Sequence, residues 1–254
     1  MTGVAAAARD AALEARLSGL FGRRDVMAYQ QAGSTMTLAH EAAAAGAADG
    51  AVVWAAEQSE GRGRMGRRWE SPAGGAYFSI ILRPQRPPAE QPQLSLVAGV
   101  AVAEAIRELA GATGSIRWPN DVLVDGLKVA GILAESRNGA VVIGIGINAR
   151  GAGGLPPTAG ALDAKGAAID PLELSAAVYR RFVPWYGRWT QQGFAPIRRA
   201  LEPWMSFGQP VQLALASEQL QGTTADVDEQ GRLVVRLDSG LMRAFEVGEV
   251  TLLR

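Results

Sequence analysis

Apolar residues along this chain follow two rhythms, one helical and one of short continuous or alternating runs. Leu13, Leu17 and Leu20 recur at helical spacing with Gly22 just beyond as a stop, which predicts an amphipathic helix over residues 11–20. Residues 26–30 read as a short strand. Gly33-Ser34-Thr35 then offers a turn and a hydroxyl cap for a helix over 36–45. Two apolar runs, 50–56 and 76–82, have the length of buried strands. Leu94, Val97, Val102, Ile106 and Leu109 lie on one face of a helix predicted over 91–110.

A cluster of short strands comes next. Residues 115–118, 122–124 and 127–134 are separated by Pro119-Asn120-Asp121 and by the hairpin signal Asp125-Gly126, and 140–147 closes the set. The pattern predicts a mostly antiparallel or mixed sheet. Residues 150–170, rich in Gly, Ala and Pro, read as a mobile loop. A helix over 172–189 follows, with Phe182, Trp185 and Trp189 at core spacing. After residue 206 the pattern changes to five short strands divided by turn signals, which predicts a small all-β barrel attached to the main body. There is no internal repeat.

Composition narrows the function. With 254 residues and 48% hydrophobic content the chain can bury a sizeable core, and its 25 basic and 25 acidic residues cancel. A neutral chain does not seek long stretches of polyanion. No cysteine is present, so thiol nucleophiles, disulfides and thiolate metal sites are excluded. Residues 4–14 lack the order of a signal peptide and no run reaches the length of a membrane span, so a cytoplasmic protein is expected. The single histidine, His40, cannot supply a triad or a multi-histidine metal site, and it reads as an ordinary helix-surface residue.

Against this background residues 61–69 stand out: three glycines, four arginines and a terminal Trp69, tethered between two strands. Missing Cβ atoms let a backbone approach an anion, guanidinium groups supply forked donors for phosphate or carboxylate, and an indole offers a stacking face. Three further places carry candidate chemistry. Gly33-Ser34-Thr35 puts hydroxyls and backbone donors at a helix start, or is only a cap. Arg117-Trp118-Pro119-Asn120-Asp121 leaves an amide and a carboxylate at a broken strand, or is a turn with a buried indole. Lys128 to Glu135 opens a strand with a lysine and sets Gly131 where a ligand could lie, or these are a solvated hairpin residue and a bulge.

Taken together, Gly33-Ser34-Thr35, Gln58 with Gly61 to Trp69, Trp118 to Asp121, Lys128 to Glu135 and Gly144-Ile145-Gly146-Ile147-Asn148 resemble the biotin protein ligases, of the monofunctional type without an N-terminal DNA-binding domain. The resemblance runs from about residue 26 to the end. It implies an α+β fold: a mixed or antiparallel sheet with flanking helices of the class II aminoacyl-tRNA synthetase-like kind in residues 26–206, after a helical extension at 1–25. A small SH3-like β-barrel is expected in 207–254. It implies that biotin and ATP, with Mg2+, form biotinyl-5'-adenylate and pyrophosphate, and that the acyl group then passes to a lysine of a biotin carboxyl carrier protein or domain. Neither step needs a protein nucleophile.

By matching position, the resemblance assigns biotin to Ser34, Thr35, Gln58, Gly61, Arg62, Gly63, Arg64, Lys128 and Gly131. The adenylate falls to Arg64, Arg67, Trp69, Asn120, Lys128 and Asn148. Lys128, Arg64, Arg62 and Asp121 are the expected catalytic set, with Asp121 orienting the acceptor lysine or a metal ion. The arginine loop is expected to move when empty and to order over the adenylate. Where the family often has asparagine after Ser-Thr, this chain has Met36, whose role toward ligand stays open. Residues 1–25 are too short for the DNA-binding module that some members carry, so no DNA partner is expected. A homodimer through an exposed sheet edge is left open. The rival readings are a lipoate or octanoate ligase, whose glycine and histidine motifs are missing here, and a nucleic-acid-binding module, which zero net charge opposes.

Overall fold

The structure, a computed structural model, describes residues 8–151, 155–166, 169–215, 218–246 and 249–252. In chain order its elements are α1 (Ala11–Phe21), β1 (Val26–Ala32), α2 (Thr35–Ala44), β2 (Val52–Gln58), β3 (Ala76–Leu82), α3 (Leu94–Ala110), β4 (Gly114–Arg117), β5 (Asp121–Val124), β6 (Leu127–Arg137), β7 (Ala140–Ile147), α4 (Pro171–Gln192) and α5 (Ala195–Leu201). The short strands β8 (Pro210–Ala214), β9 (Gln219–Val227), β10 (Leu233–Leu237), β11 (Met242–Phe245) and β12 (Glu249–Leu252) complete the chain.

The main sheet runs β1-β2-β3-β7-β6-β5-β4, parallel between β1 and β2 and antiparallel elsewhere, as the mixed-sheet expectation requires. Both faces are covered, but unequally. One face packs α1, α3 and α4 into a large apolar cluster that takes in Phe78, Ile143, Ile145 and Ile147. On the other face α2 lies over Val53, Ile81 and Val142. Because strand side chains alternate, Val142, Gly144 and Gly146 of β7 all face the α2 side. Met36 at the start of α2 lies over Gly144 and the indole of Trp69 over Gly146, so the two glycines make a low floor.

α1 ends as its sequence predicts, with Gly22 in the left-handed region at φ 66°. At the β5–β6 hairpin Asp125 (φ 51°) and Gly126 (φ 77°) both take the positive φ that a two-residue turn of the I′ type needs. Two differences from the sequence reading are plain. Ser34 sits at the N-cap of α2, yet its side chain makes no capping bond. The short helix α5 has no counterpart in the predicted pattern. Of the segment read as a mobile loop, residues 155–166 are tied to the sheet, with Lys128 N–H donating to Thr158 O at 3.0 Å and Gly160 N–H to Lys128 O at 2.9 Å. Residues 152–154 and 167–168 of that segment, like residues 1–7, lie outside the described residues.

Strands β8–β12 form a second, antiparallel sheet in the order β11-β10-β9-β8-β12. Its inner side chains Val211, Leu213, Val227 and Leu233 join the large cluster of the main body. Polar bonds fix the junction: Trp118 Nε1 donates to Gly231 O at 3.0 Å, Gln93 Nε2 to Gln230 O at 3.1 Å and Arg198 Nε to Val227 O at 2.6 Å.

Candidate active site

A cavity of about 360 Å³ opens beside the N-terminus of α2, over the glycines of β6 and β7. Its floor is shaped by missing side chains. A Cβ on Gly144 would stand 2.5 Å from Met36 Sδ, and a Cβ on Gly146 would stand 2.5 Å from Trp69 Nε1. Gly131 of β6, opposite Gly146, would meet Trp69 Cζ3 at 2.9 Å. The backbone of Gly131 therefore receives the indole of the chain's own loop, where the sequence reading placed ligand. Met36, whose role stood open, is buried and closes the floor over Gly144.

The polar wall begins at the first turn of α2. Gln58 Oε1 accepts from Thr35 N–H at 2.8 Å and from Thr35 Oγ1 at 3.1 Å, and Gln58 Nε2 donates to Ser71 Oγ at 2.8 Å. Ser79 Oγ donates to Thr35 Oγ1 at 2.9 Å from the floor below. Buried polar groups that are bonded in this way hold one geometry. Three buried polar atoms at or beside the site have no hydrogen-bond partner, Ser34 Oγ, Trp69 Nε1 and Asp121 Oδ1, although the last lies 2.6 Å from Lys128 Nζ as an ion pair. Ser34 and Gly61 do not line the cavity; a Cβ on Gly61 would fall 2.3 Å from Trp69 O, so this glycine serves the close turn of the loop itself.

The arginine loop forms a tight hairpin, with Gly63 N–H donating to Arg67 O at 2.8 Å and Trp69 N–H to Gly61 O at 2.9 Å. Met65 at its tip has φ 57° and is 70% exposed. Arg62, Gly63, Arg64, Arg67 and Trp69 line the cavity together with Asn120, Asp121, Lys128 and Asn148 from the other side. Arg64 and Lys128, 64 positions apart by their residue numbers, thus share one space. Arg64 Nη1 donates to Asn120 Oδ1 at 3.1 Å, and Asn120 Nδ2 donates to Ile132 O at 3.0 Å. Burial pushes the Arg64 pKa below the usual arginine range, opposed by the Asp121 charge and reinforced by Arg67. Such a guanidinium keeps its proton and gains from an anion.

Lys128 Nζ lies 2.6 Å from Asp121 Oδ1 and 5.2 Å from the centre of the Trp69 ring, so it is oriented from two sides. Asp121 Oδ2 accepts from Arg117 Nη2 at 2.7 Å. Asn148 Nδ2 donates to Gly160 O at 3.0 Å, which pins the end of β7 to the following loop. Arg62 turns to Glu135, its Nη2 donating to Oε1 at 2.7 Å, and His40 Nε2 stands 3.2 Å from Glu135 Oε2. His40 is therefore no surface residue; it is 7% exposed. Burial lowers its pKa below the ordinary histidine value, with Glu135 opposing and Arg137 and Arg62 assisting. Sequence reasoning missed Glu135 and Ser79 because their partners lie far along the chain.

This arrangement, a cationic loop facing a hairpin ammonium across a glycine floor, can hold a carboxylate and a phosphate together and stabilise negative charge on both. The Biotin/lipoate A/B protein ligase family matches residues 27–151, and the Biotin protein ligase C terminal domain matches residues 206–253. A biotin--[acetyl-CoA-carboxylase] ligase of Paracoccus denitrificans is 36% identical over 219 residues, covering 78% of this chain and 88% of that one. A protein of the same description from Mycobacterium tuberculosis is 34% identical over 92% of this chain and 91% of its own length. Among solved structures, the biotin protein ligase from Aquifex aeolicus in complex with biotin and ATP superposes with a TM-score of 0.80 at 29% identity, covering 91% of this chain and 99% of that one. On this sequence similarity across both parts of the chain, and on a shared fold, the chain belongs to the biotin protein ligase family.

Proposed function

We propose that this chain is an ATP-dependent biotin protein ligase working in two steps within the one cavity. A biotin carboxylate oxygen attacks the α-phosphorus of ATP, the bond to the β-phosphate breaks and pyrophosphate leaves. The amine of a carrier lysine then attacks the acyl carbon of biotinyl-5'-adenylate, an amide forms and AMP departs with loss of a proton from the amine. The observation that carries the reading is the convergence of Arg64 and Lys128 on one glycine-floored cavity.

Both steps depend on positioning and on charge that develops on oxygen. Lys128, fixed by Asp121 and the Trp69 ring, bridges the biotin carboxyl and the α-phosphate oxygens. Arg64, steadied by Asn120, supplies the second positive charge, and Arg67 stands beside it. The Thr35–Gln58 pair meets the ureido ring, with the backbone at Gly63 and Gly131 lining the pocket, Ser34 set behind Thr35 at the helix start and Gly61 making the turn of the loop. Arg62 holds the loop over biotin. Trp69, Asn120 and Asn148 are assigned to the adenylate, and Asp121 orients the incoming lysine.

Among the described residues no three His, Asp or Glu side chains converge as a metal cluster. Asp121 already answers two cations, and Glu70 is the other carboxylate lining the cavity. The residues therefore fit a magnesium ion that arrives on the ATP phosphates, where it neutralises charge when bound. The carrier is a biotin carboxyl carrier domain. DNA is not a partner on this reading, because the chain carries no net charge. No helix among the described residues is long and apolar enough to cross a membrane, and a cytoplasmic location is inferred from the missing cysteines. The antiparallel strands β8–β12, bulged at Val234/Val235, are read as a small SH3-like barrel.

The test is incubation with labelled biotin, ATP, magnesium and a carrier domain, followed by mass measurement of the carrier. A gain of one biotinyl group that requires ATP is expected. An unmodified carrier together with no biotin-dependent pyrophosphate exchange would overturn the reading.

A further inference from the structure

Arg62 is the first arginine of the loop, and the structure gives it a protein partner. Its guanidinium donates to Glu135 Oε1 at 2.7 Å, and the other oxygen of that carboxylate faces His40 Nε2 at 3.2 Å. The three residues come from three places. Arg62 belongs to the loop, Glu135 to β6, which also carries Lys128 and Gly131, and His40 to α2, whose first turn carries Thr35 and Met36. The bridge thus ties the loop to both elements that build the cavity.

An exposed arginine–carboxylate pair alone holds little, because two long side chains must be ordered and solvent screens them. Here one partner is restrained in advance. The His40 side chain is 5% exposed and that of Glu135 is 26% exposed, so the carboxylate is clamped from the buried side before Arg62 reaches it. A charge-assisted bond to a pre-oriented acceptor is stronger than one to a free side chain. The loop is also held by its internal backbone bonds, by Arg64 on Asn120, by Arg68 Nη2 donating to Ser59 O at 2.9 Å, and by the Trp69 indole against Lys128 and the glycine floor.

We propose that Glu135, clamped by His40, is a positioning residue that holds Arg62 and with it the near end of the arginine loop over the cavity. This rests on the reading that the loop covers biotin. The effect falls on substrate retention: loss of the clamp raises the biotin KM and leaves kcat close to that of the parent.

The test uses the full chain and the variants Glu135→Gln and His40→Gln, with hydrogen exchange of amides 61–69 measured without substrates. Biotin-dependent pyrophosphate exchange is measured alongside. Both variants are expected to exchange faster across 61–69 and to raise the biotin KM about two- to fivefold, with kcat nearly constant. Arg62→Gln breaks the same contact from the exposed side. Its exchange is expected to match that of Glu135→Gln, with no further gain when the two are combined. Parent-like exchange in Glu135→Gln and Arg62→Gln overturns the clamp. Faster exchange with an unchanged biotin KM upholds the clamp and removes the loop from biotin binding.

Discussion

Asp121 is shared between two cations: Lys128 Nζ lies 2.6 Å from one carboxylate oxygen and Arg117 Nη2 lies 2.7 Å from the other. The pairing aims the lysine into the cavity, and it leaves Asp121 still paired if the lysine is lost. Lys128→Ala is therefore expected to fold normally and to slow adenylate formation by about 10²–10³-fold, the scale for removing one preorganised charge. Biotin-dependent ATP–pyrophosphate exchange measures it. A parent-like rate would take Lys128 out of the mechanism.

The indole of Trp69 rests on two glycines. A methyl group at residue 146 would lie 2.5 Å from Trp69 Nε1 and 2.8 Å from Cε2, so Gly146→Ala must push the indole off the floor. The expected result is a stability loss of about 1–3 kcal/mol by urea unfolding, the usual cost of overpacking, together with a raised ATP KM. Unfolding and ATP kinetics like the parent's would show that Trp69 does not need this seat.

Thr35 Oγ1 donates to Gln58 and accepts from Ser79, whose own side chain is fully buried. Thr35→Val keeps the shape but strands the Ser79 hydroxyl, at about 1–3 kcal/mol for an unsatisfied buried donor. Adding Ser79→Ala removes that donor and is expected to restore part of the loss. If the double variant is as unstable as the sum of the single ones, the bond between them contributes nothing.

His40 makes stability depend on pH in a definite direction. Its folded pKa lies below the ordinary value of 6.5 because burial disfavours the imidazolium, so the unfolded chain binds the proton more readily. Stability is then complete above about pH 6.5 and declines as pH falls through the lower, folded value. Urea unfolding of the parent and of His40→Gln between neutral and mildly acidic pH should give curves that diverge on acidification. Parallel curves would place the His40 titration elsewhere.

Much of this was legible in the chain because it is local. Gly22, Asp125-Gly126 and the apolar runs at 50–56 and 76–82 fix their elements through short-range sterics and burial. The arginine loop and Lys128 were legible as chemistry, since their residue types are poorly explained by packing. What escaped the sequence is long-range. His40 meets Glu135 across 95 positions, and only pairing in the sheet shows that Glu135 shares a face with Val142 beneath α2. The seat of Trp69 was likewise hidden: Gly131 read as room for a ligand, because sequence does not tell which aromatic ring a glycine admits. Ser34 looked like a cap because serine before a helix usually is one.

Trp118 and Asn120 have Pro119 alone between them, yet they bond to two different parts of the chain. The indole N–H of the first is donated to Gly231 of the terminal sheet, while the amide oxygen of the second receives Arg64. Three consecutive residues thus form a short link between the terminal sheet and the Arg64 guanidinium. A shift of the terminal sheet at Gly231 would therefore be passed through Trp118 and Asn120 to the arginine loop.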